Sequence, residues 1–284
     1  MYSSISSQLK IALTAFILAL PTSATALEVE ISPTAPQQGD TISVFVTTDN
    51  PQEKPQVSLD QTSYPVFPVN NGYRALLPTS PLDSSGKMTI KVTGDNTSKN
   101  LGVWLKNRTF PVQRITLSGR ANRPATELEL AQVAAFKKLV TPVKYWNGSF
   151  LRPNSNRVST VYGVRRYYNG VFANDYYHKG VDYAGGYGSP IVAPAAGKVR
   201  LIGKEANGFH VHGNTIGIDH GQGLVSIFMH LQDIEVQDGD IIEPGQRIGT
   251  IGSTGASTGP HLHWGLYLHG VAVDPVPWRF ESIK

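Results

Sequence analysis

The chain has 284 residues, 40% of them hydrophobic and 16% charged, which excludes global disorder and leaves room for two modest domains. It has no cysteine, so disulfides, thiolate metal sites and cysteine catalysis are excluded. A net charge of +4 suits approach to an anionic polymer, but no long Lys/Arg block is present and nucleic acid is not an expected partner.

The first 26 residues carry the pattern of a secretory signal peptide. Lys10 precedes the apolar run Ile11 to Leu20, and the small-residue stretch Ala24-Thr25-Ala26 supplies an A-x-A cleavage site. A membrane anchor needs about 20 apolar residues, more than this run offers. No later stretch is apolar enough to span a bilayer, so the mature protein is expected to be soluble and exported.

Residues 27–117 read as short β-type runs, among them Thr41 to Thr47, Tyr73 to Leu77, Met88 to Val92 and Leu101 to Leu105. Turn residues such as Asn70-Asn71-Gly72 and Ser84-Ser85-Gly86 separate them, a spacing that predicts a small β-sandwich. This region holds no cluster of His, Asp and Glu able to support chemistry and is expected to act as an accessory domain. Residues 118–153 form a linker with one helix, Glu127 to Leu139. Thr126 and Glu129 make a capping-box pattern there, and Leu130, Val133, Ala134 and Phe136 fall on one face.

From residue 154 to 284 the pattern is β-rich and dense in glycine. The alternation in Thr215 to Ile218 and in Leu224 to Met229, joined through His220-Gly221-Gln222-Gly223, predicts an antiparallel hairpin. All eight histidines fall in this half. The doublet Arg165-Arg166 reads as a solvated surface pair.

Two patterns there can carry chemistry: His178-Lys179-Gly180-Val181-Asp182 and Gly259-Pro260-His261-Leu262-His263-Trp264. Imidazole and carboxylate suit zinc, and a catalytic zinc takes three protein ligands with one position open. On a strand His261 and His263 share a face but stand roughly 7 Å apart, which suits one ligand and one neighbour better than two ligands. His178 and Asp182 would lie about 13 Å apart on a straight strand and need a bend, which Gly180 permits. A second H-x-H at His210 and His212 means that spacing alone does not rank the pairs. Ile251-Gly252-Ser253-Thr254-Gly255 lacks the first glycine of G-x-S-x-G and fails as a nucleophile elbow.

A longer set of motifs, in order from about residue 158 to 276, resembles the lysostaphin/LytM-type zinc endopeptidases of the cell wall. It comprises Tyr162-Gly163-Val164-Arg165, the HKGVD segment, Pro190 to Pro194 with Gly197-Lys198-Val199, and Asn214 through Met229-His230-Leu231. Val236 to Gly245, Ile248 to Gly252, Ser253-Thr254-Gly255 and the GPHLHW segment complete it. The resemblance implies an all-β fold, with an antiparallel, barrel-like β-sheet groove in the C-terminal domain. It also implies one Zn2+ per chain held by His178, Asp182 and His263, with His230 and His261 as catalytic histidines. The implied substrate is a peptide bond in peptidoglycan stem peptides or cross-links, at the periplasm or bacterial cell surface. Relatives that lack ligands serve as silent, wall-binding activators of an amidase, the alternative role. Every position of the active set is occupied here.

Overall fold

The computed structural model describes residues 27–50 and 52–280. The expected signal peptide lies outside the described residues. No helix among them is long and apolar enough to cross a membrane.

The N-terminal part is the expected β-sandwich. One four-stranded antiparallel sheet runs in the order Glu28–Ser32, Thr41–Thr47, Gly72–Pro78, Val66–Val69; the other runs Thr62–Tyr64, Gln56–Leu59, Gly86–Gly94, Thr97–Leu105. Alternation drives both. Ile42, Val44 and Val46 from one sheet meet Ile90 and Val92 from the other in a shared, fully buried cluster.

The C-terminal half is built on a ten-stranded sheet. Along its main path, Val158–Thr160, Val181–Ala184, His261–Leu268, Leu224–Ile234, Asn214–Gly221 and Gly197–Gly203 are neighbours in that order. Asn214–Gly221 and Leu224–Ile234 form the expected hairpin, turning through Gln222 and Gly223, both at positive φ. Along His261–Leu268 the period of two is complete. Leu262, Trp264, Leu266 and Leu268 are buried in the core, which leaves His261, His263, Gly265 and Tyr267 to the opposite face.

The segment between the halves is packed into the C-terminal sheet system. Val112–Ile115 pairs in parallel with Arg165–Tyr168 rather than with a strand of the sandwich. The helix α1, Glu127–Lys137, starts on Thr126, whose hydroxyl accepts from the Glu129 N–H at 3.1 Å. Its buried residues are Glu129, Val133 and Phe136, whereas Leu130 is 56% exposed. Phe136 lies so close over the sheet that a Cβ on Gly217 would come within 2.5 Å of its ring. Further contacts tie the sandwich to the sheet: the buried Arg74 guanidinium donates to Gln222 Oε1 at 2.8 Å, and Trp278 Nε1 donates to Thr41 Oγ1 at 3.2 Å.

These contacts make α1 part of the core. Phe136→Ala is expected to lower the unfolding free energy by about 3 kcal/mol, while Leu130→Ala should change it by less than about 0.5 kcal/mol. Urea unfolding of the two variants distinguishes a packed helix from a loose tether, for which both changes would be small.

Candidate functional site

The centre of the site is fixed by strand register. Val181–Ala184 and His261–Leu268 run antiparallel with Asp182 directly opposite His263. Such cross-strand neighbours stand about 4.5–5.5 Å apart at Cβ and share a face. His178 joins them from the segment before the first strand, its N–H donating to the Val164 carbonyl at 2.8 Å. Gly180 serves this arrangement by admitting the facing strand, since a Cβ there would lie 2.2 Å from the Trp264 carbonyl oxygen.

The ring of His178 has its tautomer fixed. Nδ1 donates to the Val161 carbonyl at 2.8 Å, so Nε2 presents a lone pair. That lone pair lies 2.9 Å from Asp182 Oδ1 and 3.0 Å from His263 Nδ1, and the last two atoms are 2.9 Å apart. All three residues are buried. Burial opposes ionisation of Asp182, yet the flanking His178 and His263 rings hold its carboxyl well below the usual carboxylate range. Burial pushes His263 down to about 4, so its imidazole is neutral near pH 7. Three electron-rich atoms this close repel one another unless a cation or a proton lies among them. Two imidazoles and one carboxylate, spaced close to the roughly 3.3 Å edge of a tetrahedron with 2.0–2.1 Å bonds, fit a metal ion. Among the described residues His178, Asp182 and His263 are the group able to hold one.

His230 and His261 lie beside this trio, their ring centroids 4.7 Å apart. Each has Nδ1 committed to a carbonyl, His230 to Thr254 and His261 to Gly259, both at 2.8 Å. Each Nε2 is therefore left to accept a proton. His230 sits at an irregularity of the Leu224–Ile234 strand with φ at +65°, a conformation unusual for a residue with a side chain. Burial, and then the neighbouring His261 and His263, push its pKa well below that of free histidine.

A buried acid supports His230 from outside the sheet. Glu129 of α1 is fully buried, and its carboxylate accepts from the N–H groups of His210, Val211 and His212 at 2.6–3.2 Å and lies 2.6 Å from His212 Nδ1. The carbonyl of His212 in turn accepts the His230 N–H at 3.0 Å. The capping-box pattern is thus half realised: Thr126 caps the helix, while the Glu129 side chain is spent on the 210–212 loop. This explains the second H-x-H, whose His212 lines the groove and closes the Glu129 clamp. Nothing in the local sequence marks Glu129 for this role.

The remaining residues separate clearly. His220 is buried within the hairpin, bonded to the Ala196 carbonyl and Ser226 Oγ, both at 2.8 Å. His269 is half-buried, its ring 5.7 Å from that of Tyr64 in the sandwich. Tyr176 lines the groove, and Tyr177 donates to the Ala272 carbonyl at 3.1 Å. Arg166 departs from the surface pair expected. Its guanidinium is 11% exposed, lies 3.7 Å from Asp182 Oδ2, and donates to Gln113 Oε1 at 3.1 Å and to the Tyr168 hydroxyl at 3.2 Å. It thereby engages the carboxylate oxygen that the trio leaves over. The groove lined by the trio, His212, His230, His261, Tyr176 and Arg166 has a volume of about 740 Å³.

Comparison with known proteins matches residues 176–275 to peptidase family M23. The chain is 34% identical over 129 residues to the peptidoglycan DD-endopeptidase ShyC of Vibrio cholerae, covering 45% of this chain and 29% of that protein. It is 36% identical over 128 residues to lysostaphin of Staphylococcus staphylolyticus, covering 43% of this chain and 26% of that one. The chain spans about a quarter of the length of the curated relatives it matches. A crystal structure from Pseudomonas aeruginosa assigned to peptidase M23 aligns with a TM-score of 0.64 at 26% identity, over 87% of this chain and 96% of that one.

The Glu129 clamp makes a pH-dependent contribution to stability. Burial alone would raise its pKa, but the His212 ring and the N–H groups of His212 and Val211 hold it below the usual value. With the folded pKa depressed, the stabilisation is complete above the unfolded pKa and is lost as pH falls through the folded one. Glu129→Gln should therefore cost about 1–3 kcal/mol at pH 7. In urea unfolding at a series of pH values, the gap from the parent protein should narrow below about pH 4. A gap that stays constant with pH would contradict an ionised clamp.

Proposed function

We propose that this chain, which carries a peptidase family M23 domain of the lysostaphin type, is an exported zinc-dependent endopeptidase. Its substrates on this reading are peptide bonds in peptidoglycan stem peptides or cross-links. The observation that carries it is the buried trio His178, Asp182 and His263, whose lone pairs converge beside two histidines with free Nε2 atoms. The Vibrio relative, a peptidoglycan DD-endopeptidase, supports the substrate class. The leader pattern of residues 1–26 supports export.

His178 Nε2, Asp182 Oδ1 and His263 Nδ1 would hold the metal, and with three protein donors among the described residues one position would stay open to water and substrate. Zinc, when bound, polarises a carbonyl and brings the pKa of water to about 7. The chain's own residues do the rest. Asp182 supplies the negative charge that balances the cation, and Arg166 occupies its second oxygen. The Val161 carbonyl orients His178 and raises its basicity as a ligand. His230 and His261, with Nδ1–H tied to carbonyls, take the proton of the attacking water and return one to the leaving amine through Nε2. The groove holds the peptide extended along the face of the His261–Leu268 strand. A silent activator of another hydrolase would need none of these free bases, and the complete donor set weighs against that role.

The test pairs elemental analysis with release of new amino termini from purified peptidoglycan. The mature protein should hold about one zinc per chain and release termini. His263→Ala should lose both the metal and hydrolysis. His230→Ala should keep the metal while kcat falls by about 10²-fold or more. Metal without hydrolysis in the parent protein would sink the endopeptidase reading, and a fully active His230→Ala variant would remove the role of that residue.

A further inference from the structure

Four cationic side chains line the groove: Arg123, Lys137, Arg166 and Lys179. Two of them are neutralised within the protein. Arg123 pairs with Glu205 at 2.7 Å, and Arg166 faces Asp182. Lys137 and Lys179 differ, because among the described residues neither ammonium has an ion-pair partner. Their neighbours are aromatic. Lys137 Nζ lies 4.4 Å from the centroid of the Tyr267 ring, and Lys179 Nζ lies 5.7 Å from that of Tyr176. Both tyrosines line the same groove.

The two lysines come from unrelated parts of the chain. Lys137 ends α1, and Lys179 precedes the Val181–Ala184 strand. The last carbonyls of α1 favour a cation at Lys137, but they give no reason for a second one nearby. Glu129, the buried acid of the same helix, is already spent on His212 and the 210–212 amides. Burial pushes the Lys137 ammonium down to about 8, a desolvation cost that a bound anion would offset. Tyr267 shares a strand face with His263 and stands four residues further along, about 13 Å away at 3.3 Å per residue. An extended peptide with its scissile bond at the trio therefore places a residue three or four positions away over this tyrosine.

We propose that Lys137, over Tyr267, and Lys179, over Tyr176, form a carboxylate subsite that selects peptides bearing a free acid three or four residues from the cleaved bond. This deepens the endopeptidase reading and rests on it for the placement of the peptide. It assigns α1 a share in substrate choice, since one of the two ammonium groups comes from that helix.

Equilibrium binding tests this without turnover. The full chain is titrated calorimetrically with a short stem peptide whose carboxylates are either free or converted to carboxamides, with mass spectrometry verifying that the peptide stays intact. The parent protein should bind the free acid about tenfold more tightly, equivalent to about 1.4 kcal/mol. Lys137→Met and Lys179→Met should each lose most of that ratio, and Lys137→Arg should keep it. Because the ratio is taken within each variant, partial loss of folded protein does not affect it. Equal binding of the two peptides by the parent, no measurable binding of either, or a ratio unchanged in both Met variants overturns the subsite. Hydrolysis of wall material by the parent is scored separately, so failure of the subsite and failure of the endopeptidase reading are told apart.

Discussion

The structure turns on one unfavourable contact, the convergence of three lone-pair atoms from His178, Asp182 and His263 within 2.9–3.0 Å. Left to themselves these atoms would separate, and each is kept in place by something costly to move. Asp182 and His263 are locked by the register of two strands whose other face is core, with Trp264 fully buried between them and the interior. A one-residue slip of either strand would turn the site inward and the core outward. His178 is held by its backbone bond to Val164 and its ring bond to Val161. The rigidity of the sheet keeps the three donors spaced for a cation.

The second constraint runs from the helix to His230, one of the two histidines beside the trio. A carboxylate buried as completely as that of Glu129 is tolerated only when its acceptor capacity is filled, and here three amides and an imidazole fill it. Those amides belong to the loop whose His212 carbonyl holds the N–H of His230, a residue in a left-handed conformation. The strain at His230 is thereby supported from beneath, through a chain of hydrogen bonds that ends on α1. The helix cannot be regarded as a tether between two independent parts. It supplies the clamp behind His230 and, through Leu130 and Lys137, part of one wall of the groove.

What the amino-acid sequence made legible follows the range of the interactions involved. The hairpin at Gln222-Gly223, the cap at Thr126 and the alternation of His261 with His263 are short-range features with a fixed period or turn chemistry, and each appears as read. Features set by distant partners were hidden. Glu129 carries the signature of a capping box, yet its partners lie 81–83 residues away. Arg166 sits in a doublet that resembles a solvated pair, and only the parallel pairing of Val112–Ile115 with its strand turns it toward Asp182. His220 stands at the hairpin, yet packing against the Phe150 ring, 5.0 Å away between centroids, buries it. The grouping of His178 with Asp182 and His263 came from resemblance rather than spacing, because two H-x-H pairs were equal candidates on residue type alone.

The comparisons and the groove divide the molecule along the same line. The family match spans residues 176–275, the stretch that carries the trio and the two neighbouring histidines. The Pseudomonas structure matches 87% of it, upstream segment included. The trio and its two neighbouring histidines lie inside the matched stretch, and Gln113, Ile115, Arg123 and Lys137, which line the groove, lie upstream of it. On the proposed reading, bond cleavage needs the donor atoms and the two histidines beside them, whose geometry tolerates little change. Choice among peptides needs only side chains that meet the substrate some distance from the reacting bond, and these can vary without disturbing the register of the sheet. A groove whose floor is fixed by sheet register and whose wall comes from a separate segment can keep one reaction while changing what it accepts.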